Sequence, residues 1–193
     1  MSKSRLLSWI ALVLVACGRT VPVFHANDIT GSQVGGEFRL QDGAGRWHQP
    51  QDFAGKVLVV FFGYTRCPDV CPTTLARLAE AKRLLGDDGR RLQVVFVTLD
   101  PERDTPQQLS AFVRWFDPSF IGLWADAPTI SATAQTFKVF YQRHDEGSAM
   151  GYSIDHFAGG YAFDPAGRIR LLIPQEENAQ QVADDARLLL AGK

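Results

Sequence analysis

Two largely apolar runs dominate the chain, the unbroken Val57-Leu58-Val59-Val60-Phe61-Phe62 and Leu92-Gln93-Val94-Val95-Phe96-Val97-Thr98-Leu99. Their shortness and their β-branched and aromatic residues predict strands buried on both faces, as in a parallel sheet. Between them, Leu75, Leu78 and Leu85 recur at helical spacing after Pro72, with the stem of Lys82 at the margin of the stripe and Gly86 as a stop. Thr105 and Pro106 read as the cap and first residue of a second helix whose inner face is Leu109, Phe112, Val113 and Phe116. Residues 120–124 predict a short strand and residues 128–141 a third helix. Tyr161–Phe163 and Arg168–Ile173 flank Asp164-Pro165-Ala166-Gly167 as a hairpin, and residues 178–191 predict a last helix. Upstream, Phe38-Arg39-Leu40 and Arg46-Trp47-His48 enclose Gln41-Asp42-Gly43-Ala44-Gly45, a second hairpin with Asp-Gly turn chemistry. Strands that alternate with helices and close on a hairpin and a helix predict an α/β domain, a central mixed sheet flanked by helices, with an N-terminal β-hairpin extension.

The ends of the chain carry a different composition. Lys3 and Arg5 precede the apolar stretch 6–15, which is too short to span a membrane and reads as a signal peptide. Leu14-Val15-Ala16-Cys17 resembles a bacterial lipobox, which implies cleavage before Cys17, a lipid on its sulfur and a membrane-tethered mature protein. An ordinary signal peptide with an incidental cysteine, or an uncleaved anchor, is the alternative, and each version exports the domain. The expected organisation is a lipoprotein signal peptide over 1–16, a flexible polar tether over 17–36, and one domain over 37–193. A length of 193 residues, nearly half of them hydrophobic, suits one core of that size. The formal net charge is −1 and no basic run stands out, which excludes the electrostatic footprint of a nucleic-acid binder.

With Cys17 set aside, the domain holds only Cys67 and Cys71, in Cys67-Pro68-Asp69-Val70-Cys71-Pro72. A disulfide closing so small a loop removes little entropy from the unfolded chain, so the spacing suits chemistry better than stapling. Pro72 is welcome at the first position of a helix, which makes Cys71 the expected cap and puts both sulfurs beside a helix N-terminus at the carboxyl edge of a strand. There the helix dipole favours the thiolate, and Arg66 adds a neighbouring cation. A helical turn would hold the two Cα atoms roughly 6 Å apart, within disulfide range. The same pair also makes two soft ligands for Cu(I) or Zn(II). Of the histidines, His25, His48 and His144 are expected in solvent. His156 immediately precedes the strand at Tyr161, where a loop passes beside the cysteine turn, and reads either as a third ligand or as a surface histidine.

The chain resembles the Sco/SenC family of copper-binding proteins for cytochrome c oxidase assembly. The resemblance rests on Gly63-Tyr64-Thr65-Arg66-Cys67-Pro68-Asp69-Val70-Cys71-Pro72-Thr73, on Asp100-Pro101-Glu102-Arg103-Asp104-Thr105-Pro106, and on Asp155-His156 running into Tyr161-Ala162-Phe163-Asp164-Pro165-Ala166-Gly167. It implies a thioredoxin-like fold and copper, as Cu(I) or Cu(II), held by Cys67, Cys71 and His156. Asp100 and Asp155 are then expected to support the site, Asp155 by orienting His156, while Asp104 and Thr105 cap a helix. The implied partners are the copper-bearing subunit of cytochrome c oxidase, other periplasmic copper chaperones, and the membrane through the lipid anchor, in a bacterial cell envelope facing the periplasm or exterior. A metallochaperone is the leading expectation. The alternative is a thiol-disulfide oxidoreductase using Cys67 and Cys71 as a redox pair on client cysteines. Val70-Cys71-Pro72-Thr73 also suggests a peroxiredoxin-like peroxidase, but the position three before Cys71 is Pro68, where peroxiredoxins carry threonine.

Overall fold

Every residue of Val57–Gly63 and of Leu92–Thr98 is buried, and the two segments pair in parallel with Phe61 opposite Phe96. They form the middle of the sheet in a computed structural model that describes residues 23–148 and 151–193; the signal segment 1–16 and Cys17 lie outside the described residues. In chain order, β1 (Asn27–Asp28), β2 (Leu40–Gln41), β3 (Trp47–His48) and a 3-10 turn at Pro50–Phe53 precede β4 (Val57–Gly63). Helix α1 (Val70–Leu84) leads through a 3-10 segment to β5 (Leu92–Thr98), α2 (Pro106–Phe116), β6 (Ile121–Leu123) and α3 (Ala127–Thr136). Then come β7 (Tyr141–Ser148), β8 (Gly151–His156), β9 (Gly160–Phe163), β10 (Ile169–Ile173) and α4 (Ala179–Leu190).

The main sheet has the order β1-β10-β9-β4-β5-β6, parallel among β4, β5 and β6 and antiparallel from β4 outward through β9 and β10. Because side chains alternate along a strand, β4 feeds two cores. Val57, Val59 and Phe61 meet Leu75, Leu78, Leu109, Val113, Val182 and Leu189 from α1, α2 and α4. Leu58, Val60 and Phe62 meet Ile130, Ala134 and Phe137 from the α3 side, with Phe38 and Leu40 from the N-terminal hairpin and Phe53 from the 3-10 turn after it. This is the expected mixed sheet flanked by helices, with the N-terminal hairpin laid over one face.

Three local expectations are corrected. The stretch read as a tether is part of the body from Ala26 onward: Ala26 is buried, β1 pairs with β10, and the Asp185 carboxylate of α4 accepts the His25 and Ala26 amides at 2.9 and 2.8 Å. Helix α3 stops at Thr136, because its inner stripe is complete at the buried Phe137, and Lys138 takes a left-handed φ of 56°. Tyr141 therefore starts a strand, and β7 pairs with β8 in a two-stranded ribbon of its own. Helix α1 starts at Val70 with Asp69 as cap, so Cys71 lies in its first turn and Pro72 one place later. Pro72 costs no helical bond there, since first-turn N–H groups have no intrahelical partner. The first such bond runs from the Thr73 N–H to the Asp69 carbonyl, at 3.1 Å. Among the described residues no helix is long and apolar enough to cross a membrane.

Candidate metal centre

Strand β4 ends at Gly63, where a Cβ would lie 2.5 Å from Cys71 Sγ and 2.8 Å from the Phe96 ring. A glycine is needed there so that the first turn of α1 can bring its sulfur against the strand end. Between the two, the chain turns through 64–69, with the Cys67 N–H donating to the Tyr64 carbonyl at 3.2 Å. The turn is held from below by Asp104, a buried carboxylate that accepts the Thr65 N–H at 3.1 Å, the Thr65 hydroxyl at 2.5 Å and the Thr98 hydroxyl at 2.7 Å. Burial pushes the Asp104 carboxyl above its ordinary range, against the pull of those three donors.

The two cysteines are free and differ sharply. Cys71 is fully buried, and burial, reinforced by the neighbouring Cys67, pushes its thiol up. Cys67 is half-buried, and its thiolate is stabilised first by the Cys71 thiol, then by His156 and by the Cys71 and Asp69 amides, which together outweigh desolvation and bring it down to about 4. The Cys71 N–H lies 3.4 Å from Cys67 Sγ, a first-turn amide turned onto sulfur. Arg66, expected to act on this thiolate, is exposed.

His156 closes the group from the end of β8. Its Nε2 lies 3.4 Å from Cys71 Sγ, and its Nδ1 lies 2.9 Å from the Phe157 carbonyl. A carbonyl only accepts, so Nδ1 donates to it and the ring turns Nε2 toward the sulfurs. The ring stands edge-on to Phe61 and Tyr64. The Sγ atoms of Cys67 and Cys71 and one nitrogen of His156 all lie within 4.8 Å of one another. Cys67 and His156 open onto a cleft of about 400 Å³ bordered by Tyr64, Asp69, Ile154 and Gln175, with Cys71 buried behind them. Two thiolates and an imidazole in this arrangement suit a soft or borderline metal ion, Cu(I) or Zn(II), and the dithiol can also exchange an electron pair by forming a disulfide.

Of the predicted supporting residues, Asp100 is buried but makes no direct bond to the imidazole. It accepts the Arg103 Nε–H at 2.5 Å and the Tyr152 phenol at 2.6 Å. Asp155 does not orient His156. It sits on the other face of β8, exposed, with its carboxylate 3.1 Å from His144 Nε2, and the Phe157 carbonyl does the orienting instead. His25 is exposed, whereas His48 is partly buried 3.0 Å from the Asp42 carboxylate. Sequence reasoning missed Tyr152 and the grip of Asp104 on Thr65. A period-two reading back from His156 puts Tyr152 on the same strand face, a signal that was available.

Residues 26–191 match the family model described as SCO1/SenC. A SCO2-like protein of Rickettsia conorii is 36% identical over 137 residues, covering 70% of this chain and 67% of its own length. A bovine mitochondrial SCO2 homolog is 32% identical over 158 residues, 81% of this chain, which thus spans 59% of that relative's length. Among solved structures, ScoI of Bradyrhizobium japonicum with copper bound superposes with a TM-score of 0.74 at 33% identity, covering 81% of this chain and 99% of that one. The apo Sco1 protein of Thermus thermophilus gives 0.75 at 36% identity, over 86% and 97%.

Proposed function

Because the chain belongs to the SCO1/SenC family, we propose that it is a copper metallochaperone that takes up copper through Cys67, Cys71 and His156 and passes it on during assembly of the binuclear copper centre of cytochrome c oxidase. The observation that carries this reading is the convergence of two sulfurs and an imidazole nitrogen within 4.8 Å in an open cleft. Copper is cargo here, so a site that is solvent-facing on one side and has no fourth protein donor among the described residues suits exchange better than permanent storage. Cys67 already tends to the thiolate, and Cys71 must release its proton on loading. The relatives supply the metal's identity, since ScoI of Bradyrhizobium japonicum carries copper. The proposed partners are the copper-bearing oxidase subunit and other periplasmic copper chaperones. Its proposed place is the cell envelope, tethered by lipid on Cys17.

Copper bound by the reduced full chain after dialysis against a Cu(I) chelator tests this. Cys71→Ser is expected to lower Cu(I) affinity by at least about a thousandfold, ~4 kcal/mol, and His156→Ala by less, with loss of nitrogen coupling in the Cu(II) resonance spectrum. Unchanged tight binding in Cys71→Ser sinks the reading.

One observation favours a second reading, a thiol-disulfide oxidoreductase: an accessible thiolate, Cys67, beside a buried thiol, Cys71. Cys67 would attack a client disulfide to form a mixed disulfide. Cys71 would then lose its proton and displace the client from Cys67, leaving the client as a dithiol and this protein oxidised until an external dithiol donor reduces it. His156→Ala separates the two, because client reduction survives the change and copper handling does not.

A further inference from the structure

Strands β7 and β8 pair with each other and with no strand of the six-stranded sheet, so no ladder bond fixes where the ribbon carrying His156 sits. An isolated two-stranded hairpin is marginal in water, and its position must come from side chains. Residues 152, 154 and 156 share one face of β8. His156 meets the sulfurs, and Ile154 is buried with its N–H on the Tyr64 hydroxyl at 3.3 Å. The far end of that face is held by Tyr152. Its ring lies between the guanidinium carbons of Arg103 and Arg143, 3.4 and 3.5 Å from the ring centre. Its phenol donates to the buried Asp100 carboxylate, and its carbonyl accepts from Arg103 Nη1 at 2.8 Å. Burial and the Asp100 carboxylate push the phenol up to about 12, so it stays a donor at any working pH.

The two attachments of the site meet in one segment. Asp100 and Arg103 hold the ribbon through Tyr152, and Asp104, one residue on, holds the cysteine turn through Thr65. Asp104 and Arg103 also donate their amides to the Asp100 carbonyl, at 2.9 and 3.1 Å, which makes this segment a compact bridge.

We propose that Tyr152 is a positioning residue for copper: it latches β8 to Asp100 and Arg103 and so sets how long the His156 imidazole stays against Cys67 and Cys71. With the latch closed the ion has three protein ligands; with it open, two sulfurs, and the ion is accessible to a recipient. This rests on the reading of Cys67, Cys71 and His156 as copper ligands.

The test is a double-mutant cycle on the full chain, with Cu(I) affinity read by competition against a chromophoric chelator and ribbon opening read in the metal-free protein by hydrogen exchange at the Ile154 amide. Tyr152→Ala is expected to weaken Cu(I) binding about tenfold and to speed Ile154 exchange by a similar factor, on the scale of a lost charge-assisted hydrogen bond. Tyr152→Phe, which keeps the ring between the arginines and loses only the bond to Asp100, falls between the two and decides the matter if the alanine variant fails to fold. In a His156→Ala background neither substitution weakens copper binding further. Equal weakening in both backgrounds, or no change in Ile154 exchange, overturns the proposal. If His156→Ala alone leaves copper affinity intact, it is the ligand assignment that fails, and Ile154 exchange still decides whether Tyr152 holds the ribbon.

Discussion

The cysteine turn and the histidine ribbon bring their side chains together by opposite means. Cys71 sits where β4 and α1 meet, against a glycine with no room for a side chain, and its neighbours are the main core. His156 sits at the end of a ribbon outside the sheet, half-exposed, kept in place by Tyr64, Tyr152 and the 100–104 segment. Two of the proposed ligands are thus consequences of folding, and the third depends on contacts that can open while the fold stays intact.

The strongest challenge to that contrast is chemical. If the turn holds its sulfurs as rigidly as described, the metal-free thiols keep very unequal reactivities: the Cys67 thiolate persists above about pH 4, while Cys71 stays protonated. Alkylation at pH 6, followed by peptide mass spectrometry, is expected to label Cys67 at least about a thousandfold faster than Cys71. From pH 6 to 8 the Cys67 rate stays nearly flat, where an ordinary thiol gains about tenfold per unit. Equal labelling of the two would show that the turn is not rigid.

A smaller effect separates the two attachments. Asp104→Ala strands the Thr65 and Thr98 hydroxyls and the Thr65 N–H, and is expected to lower stability by about 2–4 kcal/mol in urea unfolding. Exchange at Thr65 should quicken more than exchange at Ile154. If both quicken alike, turn and ribbon open as one unit and the contrast fails.

The smallest effect concerns the body alone. Glu177, after β10, is buried with neither carboxylate oxygen hydrogen-bonded, and burial together with Asp185 pushes it up to about 7. A raised carboxyl favours the protonated folded state, so stability is lost as pH rises from about 4.5 to about 7. Glu177→Gln should therefore gain about 1–2 kcal/mol at pH 8 and almost nothing at pH 4.5 in urea melts, with exchange at Ile154 unchanged. A gain independent of pH would refute the assignment.

The same contrast explains what could be read before folding. Core strands and helices announce themselves because burial on both faces or on one stripe leaves apolar runs and periods, as at Val57–Gly63 and Leu109 to Val113. The ribbon leaves none: Arg143, His144 and Asp145 are exposed, and only Ile154 of β8 is buried, so the helix expected over 128–141 has no strand signal to stop it before Tyr141. Strand β1 contributes backbone bonds from two polar residues, Asn27 and Asp28, and a polar stretch of that kind reads as tether. The cysteine pair is legible through motif spacing and its grouping with His156 only through the family resemblance, whereas the bond from Asp104 to Thr65 spans 39 positions and is invisible to any local window. Asp155 was misjudged because adjacency in sequence puts neighbours on opposite faces of a strand.

The early docking of the chain onto the body has a further consequence. Ala26 is already fixed against the core, and only nine residue steps separate it from Cys17. Fully extended, those steps reach about 30 Å. The proposed lipid on Cys17 would then be a short leash rather than a long one, keeping the domain close above the bilayer. An encounter with the proposed recipient, embedded in that same bilayer, would become a search in two dimensions.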